Sequence, residues 1–181
     1  MVIALESLDK LITILKKIPN EIILPEHIGT KMPKVVDDLP SIVASIKKIT
    51  ESPIGIGGII SSEKIEENVI KEIKGFKAVA IYQMDIWVDS PQKIEEITNT
   101  MMEILFKNKN ELRKKGFVSL SIKSIGEIES KKIGREDAWR KKVTYSGTYE
   151  MMVSETMGPE GIIKKICVDI NSQFRESTEI P

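Results

Sequence analysis

Two aspartates four residues apart are the first candidates for chemistry in this sequence. Asp85 and Asp89 share one face of a predicted strand, and paired carboxylates can exchange protons or bind a metal ion. Asp89, however, directly precedes Ser90 and Pro91, which together mark the start of a helix. Lysines of the same solvated face can pair with Asp85. We therefore assign no catalytic residue and no metal ligand to this pair.

A glycine cluster, Gly55, Gly57 and Gly58, is the second candidate. A phosphate-binding loop needs a strand before it, a helix after it, and either a third spaced glycine or a Gly-Lys-Ser/Thr ending. The third position holds Ile60, and no lysine follows before Lys64. The sequence therefore predicts no cofactor site here, but a loop that is mobile or contacts a partner protein.

The chain has a single histidine and a single cysteine. His27 follows Glu26 in a proline-rich segment, and Cys167 lies between two apolar residues, as a buried small side chain would. One cysteine excludes an internal disulfide and fits a reducing, intracellular setting. A nucleophilic cysteine needs a base, and the histidine is remote in sequence, although distance along the chain does not forbid their pairing.

The densest basic stretch covers residues 131–142. Acidic residues are interspersed with the basic ones, and Trp139 and Tyr145 fall on the core side of the strand pattern. A nucleic-acid surface would instead carry aromatic residues on its exposed face. The stretch predicts the solvated tip of a hairpin, with an electrostatic contact to another protein as the alternative. The protein-interface candidates in it are Lys131, Lys132, Arg135 and Arg140.

The overall charge balance narrows the range of partners. The 181 residues include 27 Lys and Arg against 27 Asp and Glu, so the formal net charge is zero. A nucleic-acid-binding protein normally carries a basic excess, whereas near-neutral proteins associate readily. We expect no specific nucleic-acid binding. Charged residues within the apolar stretch 1–18 also argue against a signal peptide or a membrane span.

The first part of the chain alternates regular elements with segments rich in proline and glycine. Apolar residues spaced three and four apart predict a helix over residues 4–18. Several prolines make residues 20–40 an extended segment. Residues 41–49 have a strand pattern, residues 51–62 have the composition of a loop, and residues 63–73 fit either a strand or a short helix.

The central part has the clearest pattern. Alternating apolar residues predict a strand over residues 76–88 with one wholly apolar face. A helix should follow from Pro91 to about Lys115, and Gly116 should close it, because glycine adopts a left-handed conformation at little cost.

The last long segment predicts an antiparallel hairpin with one solvated face. Its first strand should bury Val118, Leu120 and Ile122. Its polar tip should span residues 126–137, and its second strand alternates apolar and polar residues over 139–153.

These elements predict an α+β fold, in which helices cover one face of an antiparallel or mixed sheet and extended arms flank the core. We divide the chain into an N-terminal helix and proline-rich arm (residues 1–38), a core domain (39–155) and a C-terminal arm (156–181). Residues 162–174 should form part of this arm or an added helix. Arms that cannot pack on their own domain often pack on a neighbour, so this organisation suggests assembly.

The order of motifs in the central block is distinctive. A strand ends in Asp85-Ile86-Trp87, a helix starts at Ser90, and an arginine-containing hairpin carries Gly134-Arg135 and Trp139-Arg140. Over residues 39–153 this order resembles the tail-terminator, or tail-completion, proteins of long-tailed phages and related archaeal viruses, in which such a strand end, helix start and final hairpin recur.

The resemblance implies a structural virion protein, not an enzyme, that assembles as a homo-oligomer, a hexameric ring. Such a ring would cap the finished tail tube and contact neck or connector proteins on the head side. We would then expect the chain in the virion tail or neck, after assembly in the host cytoplasm. This chain exceeds the compact module of that family at both ends. The alternatives are another neck or head–tail connector protein, a small-molecule-binding regulatory α+β domain, and an enzyme that uses Asp85, Asp89 and the glycine cluster.

Overall fold

The computed structural model describes residues 2–66, 69–157 and 163–169, and within them the chain folds as a six-stranded mixed sheet with three α-helices. The predicted α+β fold is thereby confirmed. The helices are α1 (Val2–Leu15), α2 (Pro91–Lys107) and α3 (Lys109–Lys114). The strands are β1 (Ile28–Gly29), β2 (Ser41–Glu66), β3 (Val69–Val88), β4 (Phe117–Ile133), β5 (Glu136–Met157) and β6 (Ile163–Asp169).

The long strands β2, β3 and β5 lie side by side, with β3 in the middle. The strand order is β1-β2-β3-β5-β4, and β6 pairs with the C-terminal part of β5. β1 is parallel to β2, and the other pairings among the described residues are antiparallel. Tyr82 faces Ile46 on β2 and Tyr145 on β5, which fixes the register at the centre of the sheet. Over the described part of the chain, β4 is an edge strand.

The main hydrophobic core joins the helices to one set of alternate strand residues. The predicted apolar face of residues 76–88 is confirmed, because its side chains are buried there or packed against the core. Tyr145 and Tyr149 of β5 share the core, as the alternation predicted. Lys141 has the same parity and is also buried, and its Nζ lies 2.6 Å from Glu95 Oε1 of α2. This ion pair ties the helix to the sheet.

The N-terminal helix is part of this core. α1 confirms the predicted helix, and Leu11, Ile14 and Leu15 are fully buried against the sheet. Ile23 and Ile28, from the proline-rich segment, are buried in the same cluster. The expectation of a projecting arm is therefore corrected over this part of the chain. Prolines end the helix but do not prevent burial, and the apolar stripe of α1 packs on its own sheet.

The segment predicted as a loop at residues 51–62 belongs to strand β2. β1 pairs with β2 only at Ile42 and Val43, so beyond that point the outer edge of β2 meets no other described strand. Proline is tolerated on such an edge, which explains Pro53. The glycine cluster coincides with a shift of register, because Ile54 faces Gly75 whereas Ile59 faces Lys74. Residues 63–73, left open between helix and strand, are strand within the described residues.

The helix predicted to run to Lys115 is interrupted. α2 ends at Lys107 and α3 begins at Lys109, and Asn108 between them donates a hydrogen bond from Nδ2 to the Ile104 carbonyl, 2.8 Å away. Side-chain competition for backbone carbonyls is a known reason for asparagine to break helices. Gly116 closes the helical segment with φ 98°, in the left-handed region, as predicted.

The predicted polar tip at residues 126–137 is also corrected. β4 continues to Ile133, and the turn is confined to Gly134 and Arg135, with φ 61° at the glycine. Oppositely charged residues face each other across the two strands, so a polar composition here supports pairing. Ile122, predicted to be buried, is 48% exposed on the edge strand β4.

The C-terminal region adds a strand. β6 pairs with β5 over Met152–Met157, so the part of residues 162–174 that the structure describes is neither an arm nor a helix. The rest of the predicted C-terminal arm, residues 158–162 and 170–181, lies outside the described residues. No helix in the described ranges is long and apolar enough to cross a membrane.

Candidate interaction surfaces

The face of the sheet opposite the main core carries a second, smaller hydrophobic cluster. Val43, Trp87, Ile133 and Ala138 are buried together, and Leu39 packs against them. The guanidinium carbon of Arg140 is 5.4 Å from the centre of the Trp87 indole ring.

Glu129 gathers the basic side chains beside this cluster. One carboxylate oxygen accepts a hydrogen bond from Arg140 Nη2 (2.7 Å) and lies 3.3 Å from Lys131 Nζ, while the other oxygen is 3.3 Å from Lys142 Nζ. The hydrogen bond from Arg140, then those from Lys142 and Lys131, lower the pKa of Glu129 to about 2. Two predicted interface residues, Lys131 and Arg140, thus share one ion-pair partner within the chain.

The other two basic candidates lie at the end of the β4–β5 hairpin. Lys132 is exposed and faces Asp137 across the strands, and Arg135 is exposed in the turn. Lys131 and Arg140 therefore share Glu129, whereas Lys132 and Arg135 lie at the end of the hairpin. A role for Lys132 and Arg135 in a protein contact stays a prediction.

The two aspartates of the candidate catalytic pair occupy different environments. Asp85 is buried on the outer face, opposite Lys142, and both its oxygens accept hydrogen bonds from Gln83 Nε2 at 2.9 and 2.8 Å. Asp89 is exposed and pairs with Lys93 at 2.8 Å, which lowers its pKa. Among the described residues, no group of three or more His, Cys, Asp or Glu side chains is placed to hold a metal ion.

A row of buried polar atoms crosses the same outer face. Ser41, Trp87 and Arg140 oppose one another on three adjacent strands. Ser41 Oγ, Trp87 Nε1 and Arg140 Nε are buried, and no group in the described residues accepts or donates a hydrogen bond to them. Buried polar atoms usually have a partner. The sequence pattern gave no sign of this row, because the row depends on how three strands pair.

A cavity of about 420 Å³ opens next to Ser41, within the proline-rich segment. His27, Lys31 and Lys34 line it, and His27 Nδ1 lies 3.3 Å from the Pro40 carbonyl oxygen. The Asp38 carboxylate at its rim accepts backbone hydrogen bonds from Lys34 and Val35, which lower its pKa. The volume lies within the range of small-molecule sites.

Several exposed apolar residues of β2 and β3 lie beyond the main core. Core packing on these strands ends at Ile49 and Phe76. We call residues 52–66 with residues 69–75 the β2–β3 extension. It contains the predicted glycine cluster, and four isoleucines on it are 39–52% exposed. They are Ile59, Ile60, Ile65 and Ile70.

A second apolar stripe lies on the edge strand β4. Ile122, Ile125 and Ile128 are 48, 47 and 37% exposed. They oppose alternate residues of β5, namely Tyr145, Val143 and Lys141, although they are three apart in β4. Two shifts of register between them keep all three on one face. The three-residue spacing of these isoleucines is visible in the sequence, but only the two shifts of register place the three side chains on one face.

Cys167 and His27, the remaining candidate pair, lie in different elements. Cys167 is in β6 opposite Ser154, and His27 ends a short 3-10 turn before β1.

No protein-family model matches the chain, and no curated protein matches it.

Proposed function

We propose that this chain is a structural assembly subunit, a ring-forming tail terminator or a close neck relative of the kind implied by the resemblance of residues 39–153. The observation that carries the proposal is the β2–β3 extension, a strand pair that projects beyond the main core with four exposed isoleucines. Exposed apolar side chains that are concentrated in one segment are typical of protein contacts.

Burial of these isoleucines on a neighbouring subunit would stabilise an assembly. Full burial of one isoleucine side chain contributes roughly 1.5–3 kcal/mol, and each of the four is already partly covered. A cyclic ring repeats one such contact at every interface, so a modest contribution per subunit accumulates.

The extension is braced by charges, which favours a preformed docking surface. Lys74 Nζ lies 2.6 Å from Glu155 Oε2 on β5 and 3.7 Å from Glu72 Oε2. The hydrogen bond to Glu155 raises the pKa of Lys74. A surface held rigid before binding loses less conformational entropy when the partner docks.

In this proposal the hexameric ring caps the tail tube in the virion, and its head side contacts neck or connector proteins. Gly55, Gly57 and Gly58 on the extension, with Lys132 and Arg135 at the hairpin end, are the residues we assign to contacts with these partners. The ring, the tail tube and the neck partners are implied by the resemblance. The β2–β3 extension offers a surface suited to contacts with them.

The test is the mass of the protein in solution and the shape of its particles. We expect light scattering to give a multiple of the 20.4 kDa subunit, and electron microscopy to show rings. The double variant Ile65→Ser with Ile70→Ser should lose the rings. Val35→Ser, an equally exposed apolar residue outside the extension, is the matched control and should keep them. Rings that persist in the double variant would exclude a role of the extension in ring formation. A protein that stays monomeric under all conditions, including in the presence of tail tubes, would exclude the proposal.

The cavity beside Ser41 supports a second candidate, a small-molecule-binding regulatory domain. Gly29 lines this cavity, and no atom lies within 4 Å of a Cβ built on it. Thermal shifts with a metabolite library should then appear for the natural chain and disappear for Gly29→Leu, which would fill the space. A library without any stabilising compound would count against this candidate.

A further inference from the structure

The edge strand β4 has a symmetry that the proposed function does not use. β4 runs from Phe117 to Ile133, so Ile125 is its midpoint. Ile122 and Ile128 lie three residues to either side of this midpoint, and Lys123 and Glu127 lie two residues to either side. Two of the shifts of register in the β4–β5 pairing flank Ile125, between Ile122 and Ser124 and between Ile125 and Ile128.

We propose that β4 pairs antiparallel with β4 of a second copy of this chain, across a two-fold axis at Ile125. In that register each Lys123 lies opposite Glu127 of the other copy, and each Ile122 lies opposite Ile128. The two Ile125 side chains meet on the axis. Residues of β4 on both sides of Ile125 then have partners, and the two sheets join into one.

Charge complementarity supports this register between two copies of the chain. Opposite charges that face each other across strands are favourable, and like charges are unfavourable. The antiparallel register creates two Lys123–Glu127 pairs and places Glu129 and Lys131 opposite serines, Ser121 and Ser119. A parallel arrangement in register would instead set each charge against its own copy.

The apolar stripe and the backbone support the same contact. Two copies of the stripe would form a row of six isoleucines on one face, each now 37–48% exposed. The free edge also offers backbone N–H and C=O groups that meet no other strand among the described residues. Edge strands with charges and bulges commonly resist such pairing. Here Lys123 and Glu127 lie opposite each other across the axis, and two of the three shifts of register in β4 lie on either side of Ile125.

The contact is isologous, which distinguishes it from the head-to-tail contact of a cyclic ring. It does not rest on the proposed function, and it uses a different edge of the sheet from the β2–β3 extension. The double variant Ile65→Ser with Ile70→Ser should therefore leave it unchanged.

Charge variants test the register. Lys123→Glu or Glu127→Lys alone should raise the dimer Kd about tenfold, because two like-charge pairs replace two opposite ones. Lys123→Glu combined with Glu127→Lys should restore the Kd of the natural chain. The measurement is sedimentation velocity over a range of concentrations, with circular dichroism to check that each variant is folded.

Oxidative crosslinking tests the axis. In a background with Cys167→Ser, Ile125→Cys should form a disulfide-linked dimer, since residues on the axis of antiparallel strands have Cα atoms about 4.5–5.5 Å apart, within the reach of a disulfide. Ser121→Cys is the control and should not crosslink, because it faces Glu129. Single charge variants with the natural Kd, a protein that stays monomeric at all concentrations, or crosslinking of Ser121→Cys but not of Ile125→Cys would each overturn the proposal.

Discussion

Two buried tyrosines that face each other on β3 and β5 differ in what their hydroxyl groups contact. Tyr82 donates a hydrogen bond to Ser7 Oγ of α1 at 2.7 Å. The Tyr145 hydroxyl is buried and has no hydrogen-bond partner among the described residues. Burial raises the pKa of each to about 12. The two hydroxyl groups therefore differ in their effect on stability, because one is hydrogen-bonded and the other is buried without a partner.

We predict that Tyr82→Phe lowers the free energy of unfolding by about 1 kcal/mol, because it removes a buried hydrogen bond between α1 and the sheet. Tyr145→Phe, its matched control, should leave the free energy of unfolding unchanged or raise it, since it removes an unpaired buried hydroxyl. Urea denaturation followed by circular dichroism measures both. A larger loss for Tyr145→Phe than for Tyr82→Phe would contradict the assigned contacts.

Glu129 makes the stability of the hairpin depend on pH. Its pKa is lowered from 4.5 to about 2 by Arg140, Lys142 and Lys131, so the carboxylate is favoured in the folded state. The stabilising contribution of a depressed carboxyl is complete above its unfolded pKa, and is lost as pH falls through the folded pKa. The relevant window therefore lies between pH 4.5 and about 2.

We predict that Glu129→Gln is less stable than the natural chain at pH 6, and that this difference shrinks as pH falls through that window. Urea denaturation at a series of pH values measures it. Glu103→Gln is a suitable control, because its exposed pairing with Lys107 lies on the surface of α2. A difference that stays constant down to pH 2 would show that Glu129 does not form this network.

At the level of elements, Gly147 of β5 leaves space for a cluster of aromatic side chains where β5 pairs with β4. The ring centres of Phe117 and Tyr82 are 6.0 Å apart, and those of Phe117 and Tyr149 are 5.2 Å apart. A Cβ on Gly147 would lie 2.7 Å from Tyr82 Cε2 and 3.4 Å from Phe117 Cε1. Strand β5 can cross this cluster because position 147 has no side chain.

Gly147→Ala should therefore lower the free energy of unfolding by about 1–3 kcal/mol, the usual cost of overpacking a core. Tyr82 is fully buried, so its ring has little freedom to move away. Gly29→Ala is the control: it is also in a strand, but nothing lies within 4 Å of its added Cβ, and it should be nearly neutral. Thermal and urea denaturation compare the two, and equal effects would contradict the close approach.

At the scale of the whole molecule, the main core brings residues of the N-terminal helix, from Leu8 onward, together with strand residues as far along the chain as Tyr149. α1 packs on β2, α2 and α3, and Lys10 Nζ lies 2.6 Å from the Tyr149 hydroxyl oxygen. Lys17 forms an ion pair with Glu111 of α3. The N-terminal segment is thus held by apolar contacts, a hydrogen bond and an ion pair, and we expect it to unfold together with the sheet.

Leu11→Ala tests this cooperativity. It should lower the free energy of unfolding by about 2–5 kcal/mol, as expected of a buried leucine, and the variant should keep a single transition. Lys16→Ala, on the exposed side of the same segment, should change little. An early, separate transition in Leu11→Ala, or an effect no larger than that of Lys16→Ala, would restore the interpretation of residues 1–38 as an independent arm.

The sequence by itself determined the features that depend on neighbours along the chain. The alternation over residues 76–88, the helix start at Pro91 and the closure at Gly116 follow from local geometry and steric preference, and all three are found in the structure. The zero net charge was equally readable.

Only the tertiary structure decided which remote residues meet. It placed Glu129 against Arg140, set α1 into the core, and left Ile122 exposed at an edge. Each of these depends on strand order and register, which arise from the packing of elements far apart in sequence. Composition could therefore mistake a glycine-containing strand for a loop and a core helix for an arm, because glycine, proline and apolar spacing describe a segment without saying what lies beside it.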